Sequence, residues 1–383
     1  MKKILKSVLN YFFLYPRFII VYCLLEIISV FLRYKPKFFK FVESEIGSIT
    51  WVDGYLRRKR YFKNQYNSFC LFTGPHTANI FVNQLVEKHL SNAGVKIIKN
   101  KFINNLIEPI FFFNNKFLNN EYSIPSCKEY ANLPKVNWLE NNEKDLKKEL
   151  ADFFGIDKED WFVCFFARDS YYDKKFRPNM KNVFELRNAD INTFIPAMEF
   201  IASKGGYAIR VGSYNEQNLR INGNKHIINY STFAEKEAKI DVLLMLLCEF
   251  AIGTGSGIMD IANLNDIPHG LVNQMQYINP QGMKYGSFIP KIFRKKSGEV
   301  LKLNEYEEIY KHYPKLTIQK HVQILQDNQL TYLNNSPEDL LQMTKDFYFK
   351  YIEKKEVPCL EESKMFNIKG LNIYEPFYLK YLK

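Results

Sequence analysis

Three apolar runs in the second half of the chain end in residues that can hold an anion. Trp161-Phe162-Val163-Cys164-Phe165-Phe166-Ala167 leads to Arg168-Asp169-Ser170. Tyr207-Ala208-Ile209-Arg210-Val211 leads to Gly212-Ser213, and Phe250-Ala251-Ile252 leads to Gly253-Thr254-Gly255-Ser256-Gly257. A guanidinium matches phosphate oxygens with a fork of parallel hydrogen bonds. A glycine-rich turn between strand and helix aims first-turn N–H groups at a ligand, at the positive end of the helix dipole. Its glycines permit positive φ and close backbone approach. Two cations and one amide cradle on a shared rim would hold a diphosphate. Each piece also has a plain structural reading. Arg168 and Asp169 can form an ion pair, Arg210 can turn to solvent, and the glycines can serve only a tight connection.

Chemistry beside such a site also calls for a group that can move a proton. The candidates are Asp169 at the first of these strand ends, His76 after the run Ser68–Thr73, and Asp53. A lone histidine such as His76 is more often structural than catalytic.

The elements that position these residues follow a β–α–β rhythm. Ser68–Thr73 reads as a buried strand closed by Gly74-Pro75, with a helix from about Ala78 to Leu90 and a strand at Val95–Ile98. In the second half, Thr193 caps a helix with Pro196 in its first turn, and Gly205 stops it before the next strand. A leucine-rich helix from about Ala234 to Leu247 precedes the glycine turn, and a helix over Ile258–Leu264 and a strand at Ile267–Val272 follow it. Such alternation indicates parallel, doubly wound α/β layers, whose ligands sit at the carboxyl ends of strands. Ser336-Pro337-Glu338-Asp339 begins a last helix. The expected organisation is a basic hydrophobic segment at 1–40, an α/β domain at 41–155, a second at 156–335, and a helical segment at 336–383 that packs back on the first domain.

Composition sets the bounds. The 383 residues are 46% hydrophobic and 25% charged, a globular balance with apolar sequence enough for two cores. The formal charge of +12 suits phosphate-bearing substrates, an anionic membrane or nucleic acid. The basic residues concentrate at the N-terminus and follow no nucleic-acid module, which excludes that partner from the reading. Six scattered cysteines without a C-x-x-C pair read as reduced core thiols in the cytoplasm. No histidine or cysteine spacing suits zinc, no P-loop is present, and no Asp-x-Asp triplet occurs. The expectation is therefore a site without metal or resident cofactor.

Residues 1–40 carry eight cations against the single acid Glu26, around the apolar run Phe18–Leu32. That run is shorter than the ~20 residues of a spanning helix. We expect a helix lying in the plane of an anionic membrane, on its cytoplasmic face. A hydrophobic helix on the protein's own core and a single span are the alternatives.

The stretches Phe165–Tyr171, Arg187–Ile191, Phe194–Phe200, Gly206–Gly212 and Phe250–Gly257 together resemble bacterial glycosyltransferases of surface-polysaccharide gene clusters. The Arg–Asp strand end and the Gly-Thr-x-Ser turn are also similar to GT-B fucosyltransferases. The resemblance spans roughly residues 45–290 and is concentrated in 160–260. It implies a GT-B fold of two Rossmann-like domains facing a cleft. It also implies transfer of a sugar from a nucleotide-sugar donor to a glycan or lipid-linked acceptor. Arg168, Arg210, Gly212 and the turn Gly253, Thr254, Gly255, Ser256 and Gly257 would then hold the donor's phosphates. Gly47-Ser48-Ile49 departs from the Gly-His-Leu expected in the first-domain loop. On this reading Arg168→Ala and Arg210→Ala abolish transfer and leave the fold intact. Transfer of another activated group such as pyruvyl, or an inactive membrane-bound scaffold, are the competing functions.

Overall fold

A computed structural model of the protein describes residues 2–63, 67–113, 115–140, 142–176, 185–212, 218–221, 223–276, 285–311, 317–360 and 373–383. The chain forms two compact units, one of residues 1–125 with 132–138, the other of 126–131 with 139–383. The division falls ahead of residue 139, not at 155. The helix Glu143–Phe154 belongs to the second unit, where Glu149 pairs with Lys239.

In the first unit β1 (Lys37–Val42), β2 (Ser68–Thr73) and β3 (Lys96–Ile98) pair in parallel in that order. Helix α2 (Ile49–Phe62) joins β1 to β2, and α3 (Ile80–Asn92) joins β2 to β3. Right-handed crossovers without a reversal of strand order place both helices on one face. After β3 the chain returns to the other edge of β1, where Phe38 bridges Leu118 in parallel, with Ile107 and Ile110 on the opposite face; the strand order reverses there, as the doubly wound expectation requires. Strand alternation sorts the side chains. Phe39 faces α2 and meets the Tyr55 ring at 4.8 Å. Phe38 and Leu71 point to the opposite face, into a cluster with Ile107, Ile110 and Phe117.

That opposite face is closed by the N-terminal helix α1 (Lys2–Leu32), whose Val21 and Leu25 join the same cluster. So the alternative of a hydrophobic helix on the protein's own core holds for one side of the helix. No helix among the described residues is long and apolar enough to cross a membrane. The short helix α4 (Lys101–Ile107) lies beside α1, where the Arg17 guanidinium donates to the Asn105 carbonyl at 3.1 Å.

The second unit carries six parallel strands: β4 (Phe162–Phe166), β5 (Tyr207–Arg210), β6 (Ile227–Ile228), β7 (Phe250–Thr254), β8 (His269–Gln274) and β9 (Gly286–Pro290). Their spatial order is β6-β5-β4-β7-β8-β9. The chain starts in the middle, winds to one edge, returns and winds to the other. This is the doubly wound arrangement, and its switch point lies between β4 and β7. The strands are buried along their length, as parallel strands covered on both faces must be. The last long helix, Pro337–Tyr351, lies against Ile195–Ser203 and this sheet, with Phe347 5.7 Å from the Phe250 ring and Tyr348 5.3 Å from Phe200. That corrects the expectation that residues from 336 return to the first domain. The apolar stripe Leu340, Met343, Phe347 is fully buried on this side of the helix.

Two histidines of this unit make its stability depend on pH. Burial holds His269 and His321 down to about 4. His269 Nδ1 lies 3.0 Å from the Ile267 carbonyl oxygen, and His321 is packed against Phe293 and Tyr310. An unfolded histidine titrates near 6.5, so between 6.5 and 4 the unfolded chain binds protons that the folded one refuses. The stabilisation is complete above the unfolded value and is lost as pH falls. At pH 5 it amounts to a loss of roughly 2 kcal/mol per histidine. Urea unfolding at pH 7 and pH 5 should show that loss, and His321→Phe should reduce it by about half; a slope unchanged by the substitution would exclude His321 as a source.

Candidate functional site

The register puts the three strand ends on one rim. Phe165 lies opposite Arg210 and Ile252, and Phe166 opposite Gly253. At the switch point the Arg168 backbone N–H donates to Thr254 Oγ1 at 2.8 Å, which ties the end of β4 to the end of β7. Arg168, Arg210, Gly212 and the turn from Gly253 to Gly257 are thus gathered along adjacent carboxyl ends. Ser213 lies outside the described residues.

Each side chain is fixed by local physics. Arg168 pairs with Asp173 (2.7 Å), whose carboxylate is 1% exposed on the helix Tyr171–Phe176. Asp169 is buried, and its Oδ1 accepts the Tyr171 N–H at 3.0 Å, turning the chain into that helix. Arg210 is fully buried; burial lowers its pKa, while the carboxylates of Asp169 and Asp190 act to raise it. Arg210 does not face solvent. It is the cation set against Asp169, so Arg210→Ala is expected to damage the fold as well as the site, which revises the expectation of an intact fold. Gly212 has φ +111°, a left-handed value that favours glycine at the end of β5.

The glycine turn differs in its cause from the expectation. Gly253, Gly255 and Gly257 all lie outside the positive-φ region. Close approach is what Gly253 provides: a Cβ there would stand 2.7 Å from the Phe166 carbonyl oxygen and 2.8 Å from Met259 Sδ. The helix that follows is one α turn, Gly257–Asp260, continuing as the 3₁₀ stretch Ile261–Asn265. A single turn carries only a small dipole, so side-chain cations dominate the field of this rim.

Three further cations lie on the rim that the motif reading passed over. Arg187 donates to the Gly255 carbonyl at 2.9 Å and so holds the turn from outside. Lys236 donates to the Gly212 carbonyl, pairs with Asp241 at 3.3 Å, and lies 4.3 Å from the centre of the Tyr230 ring. Burial lowers its pKa and raises that of Asp241. Lys291 directly follows β9, is fully buried, and donates to the Asn188 carbonyl at 2.9 Å and to Asn334 Oδ1. Burial alone brings it down to about 8. Its signal in the sequence is a lone lysine inside Phe288-Ile289-Pro290-Lys291-Ile292-Phe293.

The proposed bases divide. Asp53 is fully buried in the first unit, where Arg57 Nε donates to Oδ2 at 2.7 Å and Trp138 Nε1 to Oδ1 at 2.8 Å. Both oxygens are occupied away from solvent, so Asp53 is a structural ion-pair member and not a proton acceptor for a substrate. Asp169 is engaged in shaping its turn. His76 is half-buried in the loop after β2, at the carboxyl edge of the first sheet.

Fold and rim together define a parallel α/β protein with a cation-lined edge at its switch point. No family model matches the chain, and no curated protein matches it by sequence. In three-dimensional shape it is similar to a glycosyl transferase family 9 protein from Veillonella parvula DSM 2008, at 10% identity over 80% of each chain with a TM-score of 0.33. It is also similar to the E. coli ADP-heptose lps heptosyltransferase II, at 12% identity over 76% of this chain and 98% of that one, TM-score 0.40. An E. coli heptosyltransferase with ADP gives 10% identity, 77% and 98% coverage and a TM-score of 0.35. Likeness at this level leaves donor, acceptor and chemistry to be argued from the residues.

Proposed function

We propose that this protein is a metal-independent glycosyltransferase of GT-B type. It would move a sugar from a nucleotide-sugar donor to a glycan or lipid-linked acceptor of a surface polysaccharide, on the inner face of the cell membrane. The observation that carries the reading is the tie between Arg168 N–H and Thr254 Oγ1 at the β4/β7 switch point. It brings an arginine and a glycine turn together where doubly wound sheets bind ligands. As the glycosidic bond breaks, negative charge grows on the leaving nucleoside diphosphate. Fixed cations around it (Arg168, Arg210, Lys236) would stabilise that charge without a metal. His76 is the remaining candidate base for the acceptor hydroxyl.

Calorimetry with UDP, ADP and GDP, followed by mass spectrometry of the transferred group from matched nucleotide sugars, tests the reading. We expect one diphosphate to bind and a sugar to be transferred. Arg168→Gln keeps a donor to Asp173 but loses the charge, and kcat/KM should fall by ~100-fold. Absence of binding by all three nucleotides would favour the inactive scaffold, a reading that the commitment of Arg168 to Asp173 also suits.

A further inference from the structure

The side of α1 that does not cover the sheet is apolar without interruption. Between Phe18 and Leu32 the exposed positions are Ile19, Ile20, Cys23, Leu24, Ile27, Ile28, Val30 and Phe31. At 100° per residue they fill one half of the helix, and Val21, Leu25 and Ser29 lie on the half turned to the protein. Phe31 is 82% exposed and Val30 77%. Isolated exposed apolar residues are ordinary, but half a helix of them is not. The patch continues onto α4, where Phe102, Ile103 and Leu106 are exposed, and to Phe112 beyond it. Tyr15 and Phe18 meet Phe113 at 5.7 and 4.7 Å, which joins the two parts.

The charges around this face have one sign. Arg17, Arg33, Lys35 and Lys101 are exposed along its margins. The two acids of the region are neutralised, Glu26 by Lys116 and Glu108 by Lys40. The apolar stretch from Phe18 to Leu32 is about 22 Å long, short of the ~30 Å hydrocarbon core, so it fits a bilayer in plane and not across it.

We propose that α1 and α4 form a single membrane-docking face, with the apolar halves in the acyl boundary and the marginal cations on anionic headgroups. It stands independently of the transferase chemistry. A second copy of the chain on this face is the rival occupant. Deleting residues 1–40 cannot decide, because it removes part of β1 and the cover of the sheet.

The test is flotation of the full chain with phosphatidylcholine vesicles, with and without one-third phosphatidylglycerol. Wild type should float with the anionic vesicles, less with neutral ones, and less in high salt. The triple variant Leu24→Gln, Ile27→Gln, Phe31→Gln should partition on the order of 10-fold less. Phe102→Gln with Leu106→Gln should give a smaller loss, and both variants should keep the wild-type melting temperature and diphosphate affinity. Wild type that stays in the soluble fraction with both vesicle types, or a triple variant that floats like wild type, overturns the proposal. So does a dimer in light scattering that the triple variant abolishes.

Discussion

Gly253→Ala should lower stability by about 1–3 kcal/mol, as overpacking does, and remove diphosphate binding with it. The new methyl group would meet the Phe166 carbonyl at 2.7 Å, and that oxygen belongs to the backbone of β4, where nothing can rotate away. Relief requires β7 to part from β4 at the point where Arg168 N–H reaches Thr254. Gly255→Ala is the informative companion. The three atoms nearest its added Cβ all belong to the Gln274 side-chain amide, with Oε1 at 2.8 Å. That amide can move, so the melting temperature should hold while diphosphate affinity falls by ~10-fold or more through blockage of the turn. Equal affinity in Gly255→Ala and wild type would remove the turn from the site. Equal stability of Gly253→Ala would show that β4 and β7 are not held as closely as described.

A second large effect is expected at Asp53. Its carboxylate and the Arg57 guanidinium are both withdrawn from water, and Trp138 fills the other oxygen. Asp53→Ala leaves Arg57 buried without its partner and should cost about 3–5 kcal/mol. Asp53→Asn retains an acceptor for one donor and should cost less. If Asp53 were instead a base, both variants would fold normally and lose kcat. Denaturant unfolding against the pH–rate profile separates the two outcomes.

The strands and the rim were legible because parallel strands covered on both faces read as continuous apolar runs. Phe162–Phe166 and Phe250–Thr254 stand out for that reason, and the register then brings their ends together without further information. What was not legible depends on contacts between distant residues. Asp53 looks like any polar helix position until Trp138, 85 residues on, donates to it. Arg187 and Lys291 enter the rim only because β4, β7 and β9 share an edge. The glycines of the turn read as conformational devices, whereas the packing of β7 on β4 shows that Gly253 is there for lack of volume. Helix α1 is apolar on both sides, so its pattern names no inner face; only the cluster around Phe38 and Leu71 supplies one.

The same helix therefore covers the sheet with one half and, on the proposal above, meets the bilayer with the other. Whatever lifts α1 from Phe38 and Phe117 would take the unit off the proposed membrane surface and strip its sheet in one motion. Attempts to make the protein more soluble should replace side chains on the outer half of α1, since shortening the chain there would expose a layer of phenylalanine to water.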